Sequence, residues 1–284
     1  MDYARILAYM SDGRVVEIKD SIYPDNVPIV PHNINLEGEA SIKSILVRPL
    51  TMTDLLAALF FVDAWVWRGG NIPELVLPFV PGARQDRMND AGDYLFTAKS
   101  VANMINQRNF PRVTILDPHS EVIAGLINNC KVVHSNCLVR TSGYFYGSDY
   151  DAVISPDAGA EKRAGKFAWN MGLPLVHAWK SRSVKDGSIS GFGYENVLKC
   201  GDKVLIVDDI CDGGGTFLGL KEELSKQSIM ADLFVTHSIF SKGVKELTSK
   251  FNRVYTTDSI INRPDSISGV TVIEVCEKLM KGTY

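Results

Sequence analysis

The sequence has little of the features that mark several large classes of protein. Its five cysteines form no CxxC pair and no zinc-type spacing, so neither a disulfide framework nor a structural zinc site is predicted. The best candidate for a membrane span, residues 55–67, is too short and contains Asp63. We therefore expect a globular protein with reduced, partly buried thiols.

Strong charge and targeting signals are also lacking. A net charge of −3 gives no electrostatic reason to expect nucleic acid as the main partner. The first residues include Asp2 and Arg5 and show no apolar core of signal-peptide length. These features predict a cytoplasmic protein that binds neither nucleic acid nor a membrane.

The chain instead shows a regular alternation of strand and helix patterns. Its 284 residues are enough for one large or two medium α/β domains. Short apolar runs alternate with helical patterns in both halves, which predicts mainly parallel sheets flanked by crossover helices. We predict an α/β fold of two similar domains, residues 1–140 and 141–284. The pattern near residues 272–280 predicts a final helix, and residues 180–190 a polar loop.

One segment of the second half combines a strand, acidic residues and a glycine loop. Residues 204–207 predict a strand buried on both faces, with two adjacent carboxylates where it ends. Backbone N–H groups of a glycine loop can surround a phosphate, and a helix N-terminus adds positive potential. A sugar phosphate fits this combination, although a capping turn with solvated acids is the alternative. The residues are Asp208, Asp209, Asp212, Gly213, Gly214, Gly215 and Thr216.

This segment resembles the phosphoribosyl-diphosphate binding motif of the phosphoribosyltransferase fold. The usual form is two acids, two further residues, and then Asp-Thr-Gly/Ala-Gly-Thr. The sequence departs from it at Gly213, where a threonine is usual.

Polar groups also follow other predicted strands, where open α/β sheets bind ligands. Two guanidinium groups and an amide directly after a strand suit a polyphosphate and a base. Histidine and carboxylate groups suit a divalent ion such as Mg²⁺, which usually takes only one or two protein ligands. Two cations on a loop that can close suit a migrating phosphoryl group. Taken singly, each cluster is also typical of a solvated loop. The guanidinium and amide groups lie in the run Arg84, Gln85, Asp86 and Arg87. The histidine and carboxylate groups are Asp117, His119 and Asp157, and the two cations are Lys180 and Arg182.

Taken together, these clusters strongly resemble the ribose-phosphate diphosphokinases, also called phosphoribosyl diphosphate synthetases. The similarity covers nearly the whole chain, and residues 83–87 are its most specific part because simple phosphoribosyltransferases lack them. The motifs that carry it are Pro78-Phe79-x-x-x-Ala83-Arg84-Gln85-Asp86-Arg87, Thr97-Ala98-Lys99, Asp117-x-His119, Ser155-Pro156-Asp157, Lys180-x-Arg182 and Asp208-Asp209.

The resemblance implies an enzyme that uses magnesium and transfers diphosphate from ATP to the C1 hydroxyl of ribose 5-phosphate, releasing AMP. It implies that Arg84, Gln85, Asp86, Arg87 and His119 bind ATP, that His119 and Asp157 hold Mg²⁺, and that Lys180 and Arg182 close over the moving diphosphate. Asp208 and Asp209 would hold the ribose hydroxyls, and residues 212–216 the 5-phosphate.

The family also contacts ATP through an Asp-Gly-Glu turn that a neighbouring subunit often supplies. Glu37, Gly38 and Glu39 are the counterpart by position, with residues 11–14 as a rival. A shared turn implies a homo-oligomer that is at least a dimer.

Three alternatives stay open. Without the threonine side chain at position 213, the loop has space and N–H groups for a diphosphate, so the acceptor can be a larger 5-substituted ribose such as ADP-ribose, as in NAD metabolism. A non-catalytic regulatory subunit is a second alternative, which the presence of Lys180 and Arg182 argues against. A phosphoribosyltransferase is a third, but it leaves residues 83–87 unexplained.

Overall fold

The computed structural model describes residues 5–19, 21–25, 27–29, 41–88, 95–139, 142–182, 189–260 and 267–284, with backbone alone at 182, 189 and 190. The chain forms two compact units. The first unit comprises Met1–His134, Ser259–Ile261 and Val275–Tyr284, and the second comprises Ser135–Asp258 and Asn262–Glu274. The C-terminal segment thus belongs to the first unit, although the sequence placed it in the domain predicted at 141–284.

The first unit contains a six-stranded sheet in the order β2-β1-β5-β6-β7-β8. Strands β1 and β2 pair antiparallel across the turn at residues 12 and 13. The strands from β5 to β8 are parallel. The strands are β1 (Ile6–Met10), β2 (Val15–Glu17), β5 (Ile42–Val47), β6 (Glu74–Val76), β7 (Val113–Leu116) and β8 (Cys130–Val133), and a separate pair is formed by β3 (Ser21–Ile22) and β4 (Pro28–Ile29).

The helices of the first unit are α1 (Met52–Trp67), α2 (Thr97–Asn106), α3 (Glu121–Leu126) and α8 (Cys276–Lys281). Helix α1 begins with a capping box, in which Thr51 and Asp54 satisfy each other's backbone N–H groups. Its Leu55 and Leu59 are fully buried with Ile45 and Leu75 in the core that covers the sheet. Burial of such apolar side chains is the main stabilising term of the unit.

The second unit contains a seven-stranded sheet in the order β11-β10-β9-β12-β13-β14-β15. All neighbouring strands are parallel except β10 and β11, which pair antiparallel. The strands are β9 (Ala152–Ser155), β10 (Leu175–Arg182), β11 (Ile189–Tyr194), β12 (Lys203–Cys211), β13 (Met230–Ser238), β14 (Val254–Thr257) and β15 (Val270–Ile273). Because residues 204–207 of β12 are fully buried, the prediction of a strand covered on both faces is confirmed.

The helices of the second unit are α4 (Ser135–Val139), α5 (Glu161–Met171), α6 (Gly215–Lys226) and α7 (Lys245–Lys250). On one side of the sheet, Phe145 makes edge contacts with Phe167 and Phe234, whose ring centroids lie 6.1 and 5.4 Å away. In the core, Leu220 and Leu224 of α6 are fully buried. These contacts hold α5 and α6 in the positions from which they reach the strand ends.

Three local predictions differ from the structure. Residues 180–182 lie in strand β10 and not in a loop, because β11 pairs with them. Asp208 and Asp209 lie within β12, which continues along β13 to Cys211. Residues 270–273 form β15 beside β14, and the final helix begins only at Cys276.

None of the helices in the described ranges combines the length and the apolar character that a membrane crossing requires.

Candidate active site

An acidic pair lies beyond the centre of the second sheet. Strand β12 pairs with β9 only as far as Ile206, so the following residues leave a gap on that side. Asp208 and the buried Asp209 lie next to this gap. Helix α5 places Arg163 against both, with Nη1 3.4 Å from Asp208 Oδ1 and 3.7 Å from Asp209 Oδ1. One guanidinium group therefore neutralises part of the charge of two carboxylates.

The environment of the pair raises the pKa of Asp208 well above its usual value. Burial is the largest cause, and the charge and hydrogen bond of Asp209 act in the same direction. Arg163 opposes the shift by favouring the ionised carboxylate. A ligand whose hydroxyl groups donate hydrogen bonds to these carboxylates would replace some of the solvation that they lose on burial.

Sequence reasoning missed Arg163. Its side chain is only 12% exposed, which is unusual for arginine without an ionic role. The available signal was its position in the first half of a helix that follows a candidate ligand, Asp157. Spacing alone does not show that this helix directs the side chain toward β12.

The glycine loop joins β12 to helix α6. Gly214 has φ of +76°, a backbone conformation that favours glycine, and α6 begins at the next residue. A Cβ on Gly214 would also lie 3.3 Å from Leu247, whereas one on Gly215 would have no atom of the described residues within 4 Å. Gly215 and Thr216 thus form the first turn of α6 beside open space, as an anion-binding helix N-terminus requires.

Lys180 and Asp157 lie together in the second unit. Asp157 follows β9, and its Oδ1 accepts hydrogen bonds from the backbone of Gly159 at 3.0 Å and Ala160 at 3.3 Å. Its Oδ2 lies 2.9 Å from Lys180 Nζ on the neighbouring strand β10. The structure describes the backbone of Arg182 at the end of β10, two residues beyond Lys180.

The predicted ATP-binding cluster forms a turn in the first unit. Arg84, Gln85 and Arg87 are exposed and Asp86 is half-buried. The turn is held by backbone hydrogen bonds, including Gln85 N–H to Gly82 at 3.0 Å, and Thr97 at the start of α2 donates to Gln85 Oε1. Helix α2 therefore fixes the turn that carries both guanidinium groups.

His119 is exposed just after β7, on the same unit as this turn. Its predicted companion Asp117 is 1% exposed and lies 3.2 Å from Nδ1 of His134, a histidine that sequence reasoning did not select. Asp117 therefore supports the segment after β7, while His119 remains accessible to a ligand.

The structure brings together the predicted residues of the second unit. Strands β9, β10, β12 and β13 are parallel, so Asp157, Lys180, the acidic pair and the glycine loop follow the same edge of one sheet. Glu37, Gly38 and Glu39 lie outside the described residues. No group of three possible metal ligands occurs in the part of the chain that the structure describes.

No protein-family model matches the chain. Curated relatives include the ribose-phosphate pyrophosphokinase of Thermosipho africanus, which is 31% identical over 236 residues, 79% of this chain and 72% of the relative. The ribose-phosphate pyrophosphokinase of Corynebacterium efficiens is 28% identical over 80% of this chain and 71% of its own. The ribose-phosphate pyrophosphokinase of Maricaulis maris is 27% identical over 93% of this chain and 86% of the relative.

Among solved structures, the crystal structure of phosphoribosylpyrophosphate synthetase from Mycobacterium smegmatis is similar to this chain. Its TM-score is 0.80 at 22% identity, over 95% of this chain and 90% of that one. This similarity confirms the predicted fold, two phosphoribosyltransferase-like sheets flanked by helices.

Proposed function

Because this chain belongs to the ribose-phosphate pyrophosphokinase (diphosphokinase) family, we propose that it transfers diphosphate from MgATP to the C1 hydroxyl of ribose 5-phosphate. The observation that carries the proposal is the acidic pair Asp208 and Asp209 followed by the glycine loop at the start of α6. This segment offers hydroxyl acceptors and a helix N-terminus in succession at the end of a central parallel strand. The products are phosphoribosyl diphosphate and AMP.

The acceptor binds in the second unit. Asp208 and Asp209 accept hydrogen bonds from the ribose hydroxyls, and Arg163 keeps the pair partly ionised despite its burial. Residues 212–216 hold the 5-phosphate through backbone N–H groups and the Thr216 hydroxyl. The two ends of the acceptor are thereby fixed, which positions its C1 hydroxyl for transfer.

ATP binds through the first unit in this proposal. Arg84 and Arg87 are exposed cations on a turn held by α2, as triphosphate binding requires. Gln85 and Asp86 complete the turn, His119 approaches the phosphates, and Glu37, Gly38 and Glu39 supply the adenine contact. If a neighbouring subunit lends that last segment, the enzyme is a homo-oligomer of at least two chains, which we place in the cytoplasm.

The residues present fit Mg²⁺. A carboxylate has about four acceptor positions, and Asp157 uses three of them for Gly159, Ala160 and Lys180. Mg²⁺ usually takes one or two protein ligands and keeps phosphate oxygens and water, so either Asp157 or His119 would suffice as a protein ligand. The ion would neutralise charge on the ATP phosphates.

The transfer moves two phosphoryl groups as a unit. The C1 oxygen of the acceptor forms a bond to the β-phosphorus of ATP, and the bond from that phosphorus to the bridging α–β oxygen breaks. AMP leaves with this oxygen, and the C1 hydroxyl loses its proton. Lys180 and Arg182, at the end of β10, stabilise the negative charge on the moving oxygens.

The test is incubation of the full chain with MgATP and ribose 5-phosphate while ³¹P NMR follows AMP and phosphoribosyl diphosphate. We expect both products in equal amounts and neither without acceptor. Formation of ADP instead of AMP would contradict diphosphate transfer. Complete inactivity with every 5-phosphorylated ribose acceptor would instead favour a regulatory subunit.

A second candidate acceptor is a ribose with a diphosphate ester at its 5-position, such as ADP-ribose. The favouring observation is Gly213, whose missing side chain leaves room that the stem of Lys242 occupies in part. The same assay with ADP-ribose distinguishes the two acceptors, because efficient turnover of ribose 5-phosphate alone excludes the larger one.

A further inference from the structure

The turn after β13 is fixed against the glycine loop. The backbone N–H groups of Ile239 and Phe240 both donate to the carbonyl oxygen of Cys211, each at 3.0 Å. Ser241 Oγ donates to Asp212 Oδ1 at 2.5 Å. Phe240 is buried and has φ of +47°, a strained conformation that such contacts must maintain. The turn is therefore a rigid part of the loop's surroundings.

This turn places Lys242 over the first glycine of the loop. A Cβ on Gly213 would lie 3.4 Å from both Cδ and Cε of Lys242. The aliphatic stem thus lies across the backbone of Gly213, and its ammonium group is one bond beyond Cε. Lys242 is exposed, and among described residues no carboxylate lies within ion-pair distance of its ammonium group.

Position 213 controls whether Lys242 can occupy this place. A threonine there would add two further heavy atoms on a Cβ that already touches the lysine stem. Because these two atoms have to fit beside the stem, we expect a threonine side chain to shift Lys242 from this place. The absence of a side chain at Gly213 therefore allows the stem of Lys242 to lie across the loop.

We propose that Lys242, seated over Gly213, binds the second phosphate of an acceptor that carries a diphosphate ester at the ribose 5-position. This inference rests on the proposed function and assigns its acceptor class. The first phosphate lies in the nest of Gly214, Gly215 and Thr216, and the second extends past Gly213 to the ammonium group. We expect a single phosphate to occupy the nest without contacting Lys242.

The experiment compares ADP-ribose with ribose 5-phosphate in wild type, Lys242→Met, Gly213→Thr and the double variant. Methionine keeps an apolar stem of similar length and removes the charge. Lys245→Met is the matched control, since Lys245 is an exposed lysine in the first turn of α7. kcat/KM is measured for both acceptors, and the Kd of each is measured by calorimetry without ATP.

We expect Lys242→Met to lower kcat/KM and affinity for ADP-ribose about tenfold, the loss of one charge-assisted hydrogen bond. Values for ribose 5-phosphate should change less than about twofold. Gly213→Thr should lower kcat/KM for ADP-ribose by a similar factor and add little to the loss in the double variant, because both changes remove one interaction. Lys245→Met should change neither acceptor.

Equal losses for both acceptors, or no loss for either, would overturn the proposal. Turnover of ribose 5-phosphate by a wild type that neither binds nor uses ADP-ribose would also overturn it, and would leave the diphosphokinase function standing. If wild type turns over neither acceptor, the proposed function fails, and the calorimetric comparison of wild type with Lys242→Met still decides the role of Lys242.

Discussion

Lys180 Nζ lies 2.9 Å from Asp157 Oδ2, so the cation proposed to stabilise the moving diphosphate is ion-paired with the proposed metal ligand. Both side chains are partly buried, at 18% and 36% exposure, which reduces solvent screening of the pair. The carboxylate holds Lys180 at the strand edge before ATP arrives. Mg²⁺ held by Asp157, as proposed, would free the ammonium group for the phosphate oxygens.

The first prediction follows from this arrangement. Lys180→Ala should lower kcat about 10²–10³-fold, the usual effect of removing one donor to transition-state charge. The Kd of ATP should change less than about threefold, because the interaction forms mainly during transfer. Rapid-mix kinetics and equilibrium dialysis measure the two quantities.

Lys250→Ala is the control for this variant, since Lys250 ends α7 and is 45% exposed. Turnover like that of wild type in Lys180→Ala would remove Lys180 from the mechanism. A parallel loss of ATP affinity would instead indicate a ground-state contact.

The second prediction concerns Asp208. Burial and the charge of Asp209 raise the pKa of this carboxyl well above its ordinary value of 3.8. The folded chain binds this proton more tightly than the unfolded chain, so stability falls as pH rises between 3.8 and the raised value. Above that window the ionised pair weakens the fold. Asp208→Asn removes this pH dependence and keeps the acceptor oxygen.

We expect Asp208→Asn to stabilise the ligand-free chain at pH 7 by about 1 kcal/mol, which corresponds to roughly 2–4 °C in Tm. Acceptor affinity should fall at the same time, because a hydroxyl acceptor loses its charge. Calorimetric melting from pH 4 to 8, for the variant and wild type, measures the effect. A lower Tm at pH 7 would show that Arg163 more than compensates the charge.

The apolar run of residues 204–207 is local, so the strand there was predicted from the sequence. The extension of β10 through Arg182 was not predicted, because that segment is polar and becomes a strand only by pairing with β11. Sheet pairing depends on a partner distant in sequence, which local patterns do not record.

The candidate site likewise contains residues that lie in one local segment and residues that packing brings to it from elsewhere in the chain. The acidic pair and the glycine loop form one continuous segment, so their residue types alone indicated a sugar phosphate. Arg163 and Lys242 contact this segment from α5 and from the turn after β13. Their roles arise from packing, and many surface helices and turns carry lysine and arginine without such roles.

The third prediction concerns cysteine reactivity. Burial, with smaller contributions from Asp208 and Asp212, raises the pKa of Cys211 to about 12, and burial raises that of Cys130 to about 11. Since the thiolate is the reactive form, both should resist alkylation at pH 8. Cys137 and Cys200 are exposed.

Iodoacetamide followed by peptide mass spectrometry should therefore modify Cys137 and Cys200 first. Cys211 should react only after denaturation, at a rate similar to that of the other cysteines. Rapid modification of Cys211 in the native protein would mean that the end of β12 opens readily.

The last prediction concerns the contact between α6 and the β10–β11 hairpin. A Cβ on Gly219 of α6 would lie 2.0 Å from the ring of Phe192, so glycine allows the hairpin to pack on the helix. Phe192 is the register partner of Lys180. Gly219→Ala should gain about 1 kcal/mol of helix propensity and lose roughly 1–3 kcal/mol to overpacking. The net effect in wild type should be destabilisation, with kcat reduced several-fold as Lys180 shifts.

In a Phe192→Ala background the overpacking is absent, so the same Gly219→Ala change should stabilise the chain. Urea unfolding of the four proteins measures this reversal of sign, and additive effects would show that the ring does not occupy the place left by Gly219.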